Sequence, residues 1–529
     1  MKKLTITLLF TLITVFSVNG QSSSFFQAKE IVWGKKQKGN RILPFLRGQV
    51  YPYKDKFLVV MDYTVKKMNT AELHRYDAKL NLEKVVSLPL EHAGKELYLL
   101  YSKVLKGKFY FFGYQWNKAK RGVDIYALEI NPETMNIAGK PKKLFEISDL
   151  FTSFNPLNLN NMMKKARANI SVDVSRDSSK LVFQQGTPNL KGQDQQQFVF
   201  NVFDTKLNEL WEKTLELPYV NKEFGLVGYL INDHADLYLL GKVYHKGILS
   251  KKKSSYHYEI WQYSGKENAV PKTYKIQPED WRINELSMRL NKRGDLICTG
   301  LYSEKKEDTS KGVYYMSVDR NTQQIRKENY QEFDAEILNY FMPEKKAKKG
   351  NGELGGLELR GLVTRPDGSV VLLSETSFIL SGGSEPSYPI FINGNILITN
   401  INSDGNVAWS RVIPKHQSMR YANAWCSFTY ESKGQEVYIL YTDNIENFDI
   451  PFEDHKNYKR VGLNGNKKTT LNMVKVEADG TMSKQLLYKN MKDAMVIRPR
   501  SSKKISENEL LLLGRWGIKN YKIGIVELK

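Results

Sequence analysis

The chain is poor in the residue types that announce a chemistry. Its 529 residues include only two cysteines, Cys298 and Cys426. That count excludes a disulfide framework and a four-cysteine metal site. The two fall in units of the repeat (below) that are not neighbours, so they read as buried thiols acting as small hydrophobes. Histidine is scarce as well, at seven residues. None stands at HExxH or other close metal-ligand spacing, so no metal and no cofactor is expected. There is no GxSxG elbow and no phosphate-cradling glycine loop, so the nucleophilic hydrolase and P-loop classes have no signature. Long apolar runs are absent except at the extreme N-terminus, and helical periodicity is rare throughout.

What is present is β-strand material. Hydrophobic residues make up 41% of the chain and aromatics 12%, with 30 Tyr and 24 Phe, which suit half-buried strands. One pattern recurs along the chain: two apolar runs joined by a short polar turn, a longer gap, then two more runs joined by a turn rich in Asp, Gly and Asn. The clearest second halves are FVFNVFDTKLNELWEKTLELP from Phe198, ILITNINSDGNVAWSRVIP from Ile396 and LNMVKVEADGTMSKQLLY from Leu471. Four strands per repeat at a period of tens of residues is the pattern of a β-propeller. Eight units can be parsed, with seven the alternative if unit two or unit eight is divided wrongly. The eighth stops after its third strand, YKIGIVEL. The missing strand is expected from the other end of the chain. KEIVWGKK, Lys29 to Lys36, resembles the fourth strands NELWEKTL and NVAWSRVI, with Trp33, Trp211 and Trp409 in register. Such a strand would close the ring and remove two sheet edges.

The turns RDSSK (from Arg176), NKRGD (from Asn291), RPDGS (from Arg365) and ESKGQ (from Glu431) are placed between first and second strands. SDGN (from Ser403) and EADG (from Glu477) are placed between third and fourth. Glycine and asparagine take positive φ at little cost, and Asp or Ser can bond the following backbone. This grammar resembles that of bacterial TolB-like and WD-repeat propellers, in which a turn of the SPDG type recurs. WD dipeptides and kelch glycine pairs do not recur here, so the resemblance implies a fold and no particular activity. The Lys- and Asn-rich composition also resembles that of exported proteins of Bacteroidota.

Export is written into the N-terminus. Lys2 and Lys3 precede an apolar stretch from Leu4 to Val18, and Val18 and Gly20 fit a cleavage site before Gln21. That is the form of a secretory signal peptide, and the run is short for a membrane span. The expected organisation is a signal peptide over 1–20 and one propeller domain over 21–529. The protein is expected to be periplasmic, cell-surface or extracellular, and monomeric.

The formal net charge is +22, which favours polyanionic partners, and export argues against nucleic acid. In a propeller, the second-to-third and fourth-to-first connections share one face. The long connections expected there include Gln115–Val123, His245–Ser255, Ser303–Gly312, Ser377–Gly394 and Asn444–Thr470. They carry the basic runs, and the residues expected to bind a ligand are Lys118, Lys120, Arg121, Lys251, Lys252, Lys253, Lys305, Lys306, Lys345, Lys346, Lys467 and Lys468. The acidic stretch from Asp443 to His455 lacks the order of a calcium loop and reads as solvated. His245 and His257 flank one hairpin and could approach each other. These readings favour a binding or interaction module over an enzyme, its partner an envelope protein or an anionic glycan. A polyanion-binding protein, for acidic glycan or lipopolysaccharide, and a glycan-active hydrolase or lyase are the alternatives.

Overall fold

In a computed structural model, the chain is described over residues 24–26, 31–35, 37–38, 50–61, 70–150, 166, 168–186, 195–245, 256–265, 270–304, 308–349, 352–380, 388–420, 423–463, 468–489, 495–516 and 520–529. Eight antiparallel sheets follow one another along the chain. Blade one is built from Val50–Tyr53, Lys56–Met61, Thr70–Asp77 and Leu82–Pro89. Blade four is Phe224–Ile231, Leu237–Tyr244, Tyr256–Tyr263 and Lys272–Ile276. Blade five is Arg282–Leu290, Leu296–Ser303, Gly312–Val318 and Ile325–Glu332. Blade six is Leu357–Thr364, Val370–Leu380, Ile390–Ile401 and Val407–Ile413, and blade seven is Phe428–Lys433, Glu436–Asn444, Thr469–Val476 and Met482–Lys489.

Burial explains why the middle strands read as near-continuous apolar runs. In blade five the second and third strands are buried at every position, while the outer strand Ile325–Glu332 is largely exposed. A strand covered on both faces by neighbouring blades has no solvent side to alternate toward. Each blade shares an apolar cluster with the next: Leu128 with Leu58, Phe112 with Phe183, Phe200 with Leu239, and Ile260 with Cys298. The series continues with Leu301 and Leu372, Ile398 and Ile439, and Leu440 and Leu512, and ends with Leu513 against Val59 of blade one. Eight junctions join eight blades and the last returns to the first, which decides between eight and seven.

The ring is sealed as the N-terminal sequence indicated. Val32–Trp33 and Gln37–Lys38 both pair antiparallel with Asn520–Glu527, the third strand of blade eight. Ile31 is buried in the cluster between blades seven and eight. One further segment, Ser24–Phe26, runs parallel to the outer strand of blade seven, so the N-terminal region adds strands to two adjacent blades. The first strand of blade eight is split into Met495–Ile497 and Lys503–Ser506 around a short 3-10 turn.

The turn chemistry is as read from the sequence. Gly368 and Gly405 sit at φ +89° and +81° in RPDGS and SDGN, a region that a Cβ disfavours. Ser178 takes the equivalent positive φ in RDSSK. Asn402 Oδ1 accepts from the backbone of Asp404 and Asn406 at 3.1 and 3.0 Å, fixing the SDGN turn.

Two expected loops are corrected. Gln115–Val123 is not a long connection: the strands Lys108–Asn117 and Gly122–Asn131 pair up to Asn117–Gly122 and leave only a tight turn. Ser377–Gly394 is mostly a hairpin arm, because pairing resumes past a bulge with Ser377–Asn393 through Leu380–Ile390. Cys426 lies just before the first strand of blade seven. Both thiols are buried and unbridged. Among the described residues no helix is long and apolar enough to cross a membrane.

Candidate functional site

The face that carries the second-to-third and fourth-to-first connections opens into a cleft where blades four, five and six meet. The alternation of blade four aims its side chains there. In Leu237–Tyr244, Tyr238 and Leu240 pack into the junction with blade five, and Lys242 and Tyr244 continue that face as the junction widens. Directly opposite on the next strand stand Tyr258 and Tyr256. Arg282 and Asn284 arrive at the same place at the start of blade five.

Of these, Lys242, Tyr244, Tyr256, Arg282 and Asn284 line a cleft of about 770 Å³. It shares Lys242, Tyr244, Asn284 and Glu285 with a second cavity of about 490 Å³. The second is walled by the innermost strands of blades four to seven, so it lies on the ring axis. At the mouth, the Lys242 ammonium stands 4.0 Å and the Arg282 guanidinium 4.2 Å from the centre of the Tyr256 ring. Arg282 Nε donates to the Tyr256 hydroxyl at 3.1 Å, which itself donates to the carbonyl of Ile283 at 3.0 Å. Two cations are thus held against one aromatic ring bordering an open cleft, an arrangement worth about 0.5–2 kcal/mol per cation. Deeper in, Glu285 Oε2 accepts from the backbone of Leu359 at 2.6 Å. Burial, with the nearby Glu358, holds its carboxyl above the ordinary value.

The other face of the same hairpin carries a line of polar groups. His245 Nε2 lies 3.0 Å from His257 Nδ1, and His257 Nε2 lies 2.9 Å from Glu259 Oε1. Glu259 also accepts from the Tyr219 hydroxyl at 2.7 Å and from Trp261 Nε1 at 3.1 Å. Burial alone would raise the Glu259 carboxyl, but the bonds from His257 and Tyr219 hold it below its usual value. His257 and Glu259 are buried and His245 is exposed. His245 and His257 border a third cavity, of about 380 Å³, which also has Tyr256 and Arg282 on its wall. The approach of the two histidines expected from the sequence is therefore present. Among the described residues no three His, Cys, Asp or Glu side chains gather as a metal cradle.

The basic residues singled out from the sequence are placed as follows. Lys120 pairs with Glu146 at 3.5 Å, and Arg121 with Asp149, on the tight turn between Lys108–Asn117 and Gly122–Asn131 that also carries Lys118. Lys345 and Lys346 lie on the four-residue helix Glu344–Ala347 between blades five and six, and Lys346 borders a cleft of about 560 Å³ that shares Phe378 and Ile379 with the main one. Lys468 pairs with Glu446. Lys251, Lys252, Lys253, Lys305, Lys306 and Lys467 lie outside the described residues. The cations that border the channel mouth, Lys242 and Arg282, were missed because they sit at strand ends and not in lysine runs. The signal was there in the alternation of YHYE, from Tyr256, beside GKVYH, from Gly241.

In the acidic stretch Glu446, Asp449, Glu453 and Asp454 are exposed, as a solvated loop requires, and the reading is corrected at Asp443 alone. Asp443 is fully buried, with Oδ1 accepting from the Asn444 backbone at 2.8 Å and from Asn447 Nδ2 at 2.9 Å. Burial pushes its carboxyl up to about 6.

No family model matches the sequence, and no curated protein matches it. Solved structures that resemble it include the β-propeller domain of the Trilobed protease from Pyrococcus furiosus, at TM-score 0.33 and 13% identity, covering 78% of this chain and 90% of that one. Polysaccharide lyase Uly1 resembles it at TM-score 0.40 and 9% identity, covering 96% and 95%. The Penicillium chrysogenum alpha-L-arabinanase complexed with arabinobiose does so at TM-score 0.31 and 10% identity, covering 65% and 92%. At these scores the likeness carries no argument about ligand or activity. The architecture rests on the sheet order and the eight junctions above.

Proposed function

We propose that this is an exported propeller, folded as one domain over residues 21–529, that binds an anionic glycan at the channel mouth between blades four and six. The observation that carries this reading is the pair of cations, Lys242 and Arg282, standing at 4.0 and 4.2 Å on Tyr256 at the edge of the 770 Å³ cleft. Sugars offer C–H faces that stack on phenol rings, and acidic sugars add carboxylate or sulfate groups for the cations. The net charge of +22 would draw such a polymer to the protein from a distance.

The test is binding of the purified protein to acidic and neutral glycans at low and moderate salt. Binding confined to acidic glycans and falling steeply with salt is expected. Lys242→Met and Arg282→Met should each weaken it about tenfold, the scale of one charge-assisted hydrogen bond. Variants that bind as well as the parent would refute this placement of the site. Failure to bind any glycan would favour an envelope protein as partner, for which the exposed Phe378, Ile379 and Leu380 of the blade-six hairpin arm are the surface to mutate.

A further inference from the structure

We infer that the cavity beside the channel mouth is catalytic: His245, oriented by His257 and Glu259, is the general base for β-elimination of a uronate-containing glycan whose carboxylate rests on Arg282. This inference depends on the anionic-glycan reading and adds a reaction to it.

The argument starts from proton bookkeeping along the line of side chains. Glu259 takes three donors, from His257, Tyr219 and Trp261, so it is an ionised acceptor. An ionised acceptor facing His257 Nε2 places that ring's proton on Nε2. In the neutral ring His257 Nδ1 is then an acceptor, and the partner 3.0 Å away, His245 Nε2, donates to it. The proton of neutral His245 is thereby fixed on Nε2, and Nδ1 is its basic atom. A carboxylate, an imidazole and a second imidazole in series is how a base is held in one tautomer and one orientation.

A purely structural role explains this line poorly. Glu259 and His257 are both about 6% exposed at the side chain, and apolar groups of similar volume would usually pack there at no loss of stability. The buried part of the line ends at an exposed imidazole on a cavity wall. Its surroundings suit a base. Burial, with the nearby Lys275, holds His245 below the ordinary histidine value, so it is neutral, and able to accept a proton, at neutral pH. Among the described residues, the groups that face it are His257 on the third strand, Lys275 on the fourth, Glu279 on the connection that completes the cavity and Arg282 at the start of blade five.

Arg282 ties the base to the anion site, because it borders both the 380 Å³ cavity of His245 and the 770 Å³ cleft of Lys242. A proton on the carbon next to a carboxylate is abstracted readily only when the carboxylate charge is neutralised, which is what fixed cations do. In the elimination, His245 Nδ1 takes the C5 proton of the uronate. The C–H electron pair becomes the C4=C5 double bond, and the C4–O bond breaks. The departing oxygen takes a proton from solvent, and His245 returns its own to solvent. No oxidant, reductant or added nucleophile enters the balance.

The test incubates the purified protein with polygalacturonate, alginate, hyaluronan and chondroitin sulfate, and follows both binding and the ultraviolet absorbance of the unsaturated product. The expected result is unsaturated product from at least one of them. His245→Ala should lower its rate about 100-fold or more while binding is retained. Glu259→Gln should lower kcat with little change in KM and move the rising limb of the pH–rate profile to lower pH, which mere loss of packing would not do. Should His245→Ala fail to fold by circular dichroism, His245→Gln takes its place. Binding without cleavage of any substrate overturns this inference and leaves the binding reading standing, as does cleavage without a double bond or cleavage that survives His245 substitution. No binding overturns both.

Discussion

Replacing Lys415 with methionine tests whether blades six and seven are locked together by buried charge. The Lys415 ammonium lies 2.7 Å from Glu375 Oε1, and both side chains are fully buried. Glu375 Oε2 holds Arg360 Nε at 3.0 Å, Asn393 Nδ2 at 2.8 Å and the hydroxyl of Ser427, at the start of blade seven, at 2.7 Å. Lys415 also reaches Gln417, whose amide donates to the carbonyl of Thr442 in blade seven at 2.7 Å. Methionine keeps most of the stem volume and removes the charge with its hydrogen bonds to Glu375, Asn393 and Gln417. Stripping one partner from a buried pair costs about 3–5 kcal/mol. Because Arg360 and two neutral donors remain on Glu375, the lower end, about 3 kcal/mol, is expected. For a chain of 529 residues, an unfolding entropy of about 2.1 cal/mol/K per residue sums to about 1.1 kcal/mol/K. The thermal midpoint should then fall by about 3 °C if the ring melts as a unit. Lys415, Arg360 and Ser427 hold the Glu375 carboxyl below its ordinary value against the effect of burial. The stability it contributes is therefore present above the unfolded carboxylate value and is lost as pH falls through the folded one. The gap between parent and variant should accordingly narrow in acid. The double change Glu375→Gln with Lys415→Met leaves neither charge unpaired and should recover part of the loss. An unchanged midpoint for Lys415→Met, or a double variant whose losses simply add, would refute the account.

Asp443 and the N-terminal strand give two further predictions. Since burial raises Asp443 to about 6, its contribution to stability is present below about pH 4 and is lost as pH rises through 6, roughly 3 kcal/mol in all. Asp443→Asn should remove that slope and raise the midpoint at neutral pH, as read by calorimetry across the range; a variant with the parent's slope would refute the assignment. A chain beginning after Lys38 should leave the outer edge of the strand Asn520–Glu527 unpaired, lowering the midpoint and promoting association through the open edge. Light scattering that shows a monomer of unchanged midpoint would count against the seal.

The parts of the fold that were legible are those where backbone conformation restricts residue choice. Gly368 and Gly405 mark turns because positive φ excludes most side chains, and the Trp33 segment was recognisable because a fourth strand has one covered and one open face. The tight turn at Lys118–Arg121 was misjudged because polar residues at the ends of a long hairpin look like loop when the pairing is unseen. Asp443 was misjudged for a related reason. Lys484, from the outer strand of blade seven, donates to the carbonyls of Asn447 and Ile450 beneath it at 2.9 and 3.0 Å, and nothing in the acidic stretch foretells that cover. The site itself was half legible. His245 and His257 were paired from the shape of one hairpin, whereas Lys242 and Arg282 come from different blades and meet only when the ring is assembled.

The N-terminal region adds strands to blades seven and eight, and the contact of Val32 with Ile525 spans almost the entire chain. Closing so long a loop costs little more than closing a moderate one, since the entropic term grows only with the logarithm of length. Its consequence is one of order in time. The N-terminal strands must wait, unpaired, until blades seven and eight have been delivered, while the blades between them have their partners at hand as soon as they appear. During that interval the nascent protein is an open arc with two adhesive ends, and whatever escorts it must shield them until they find each other.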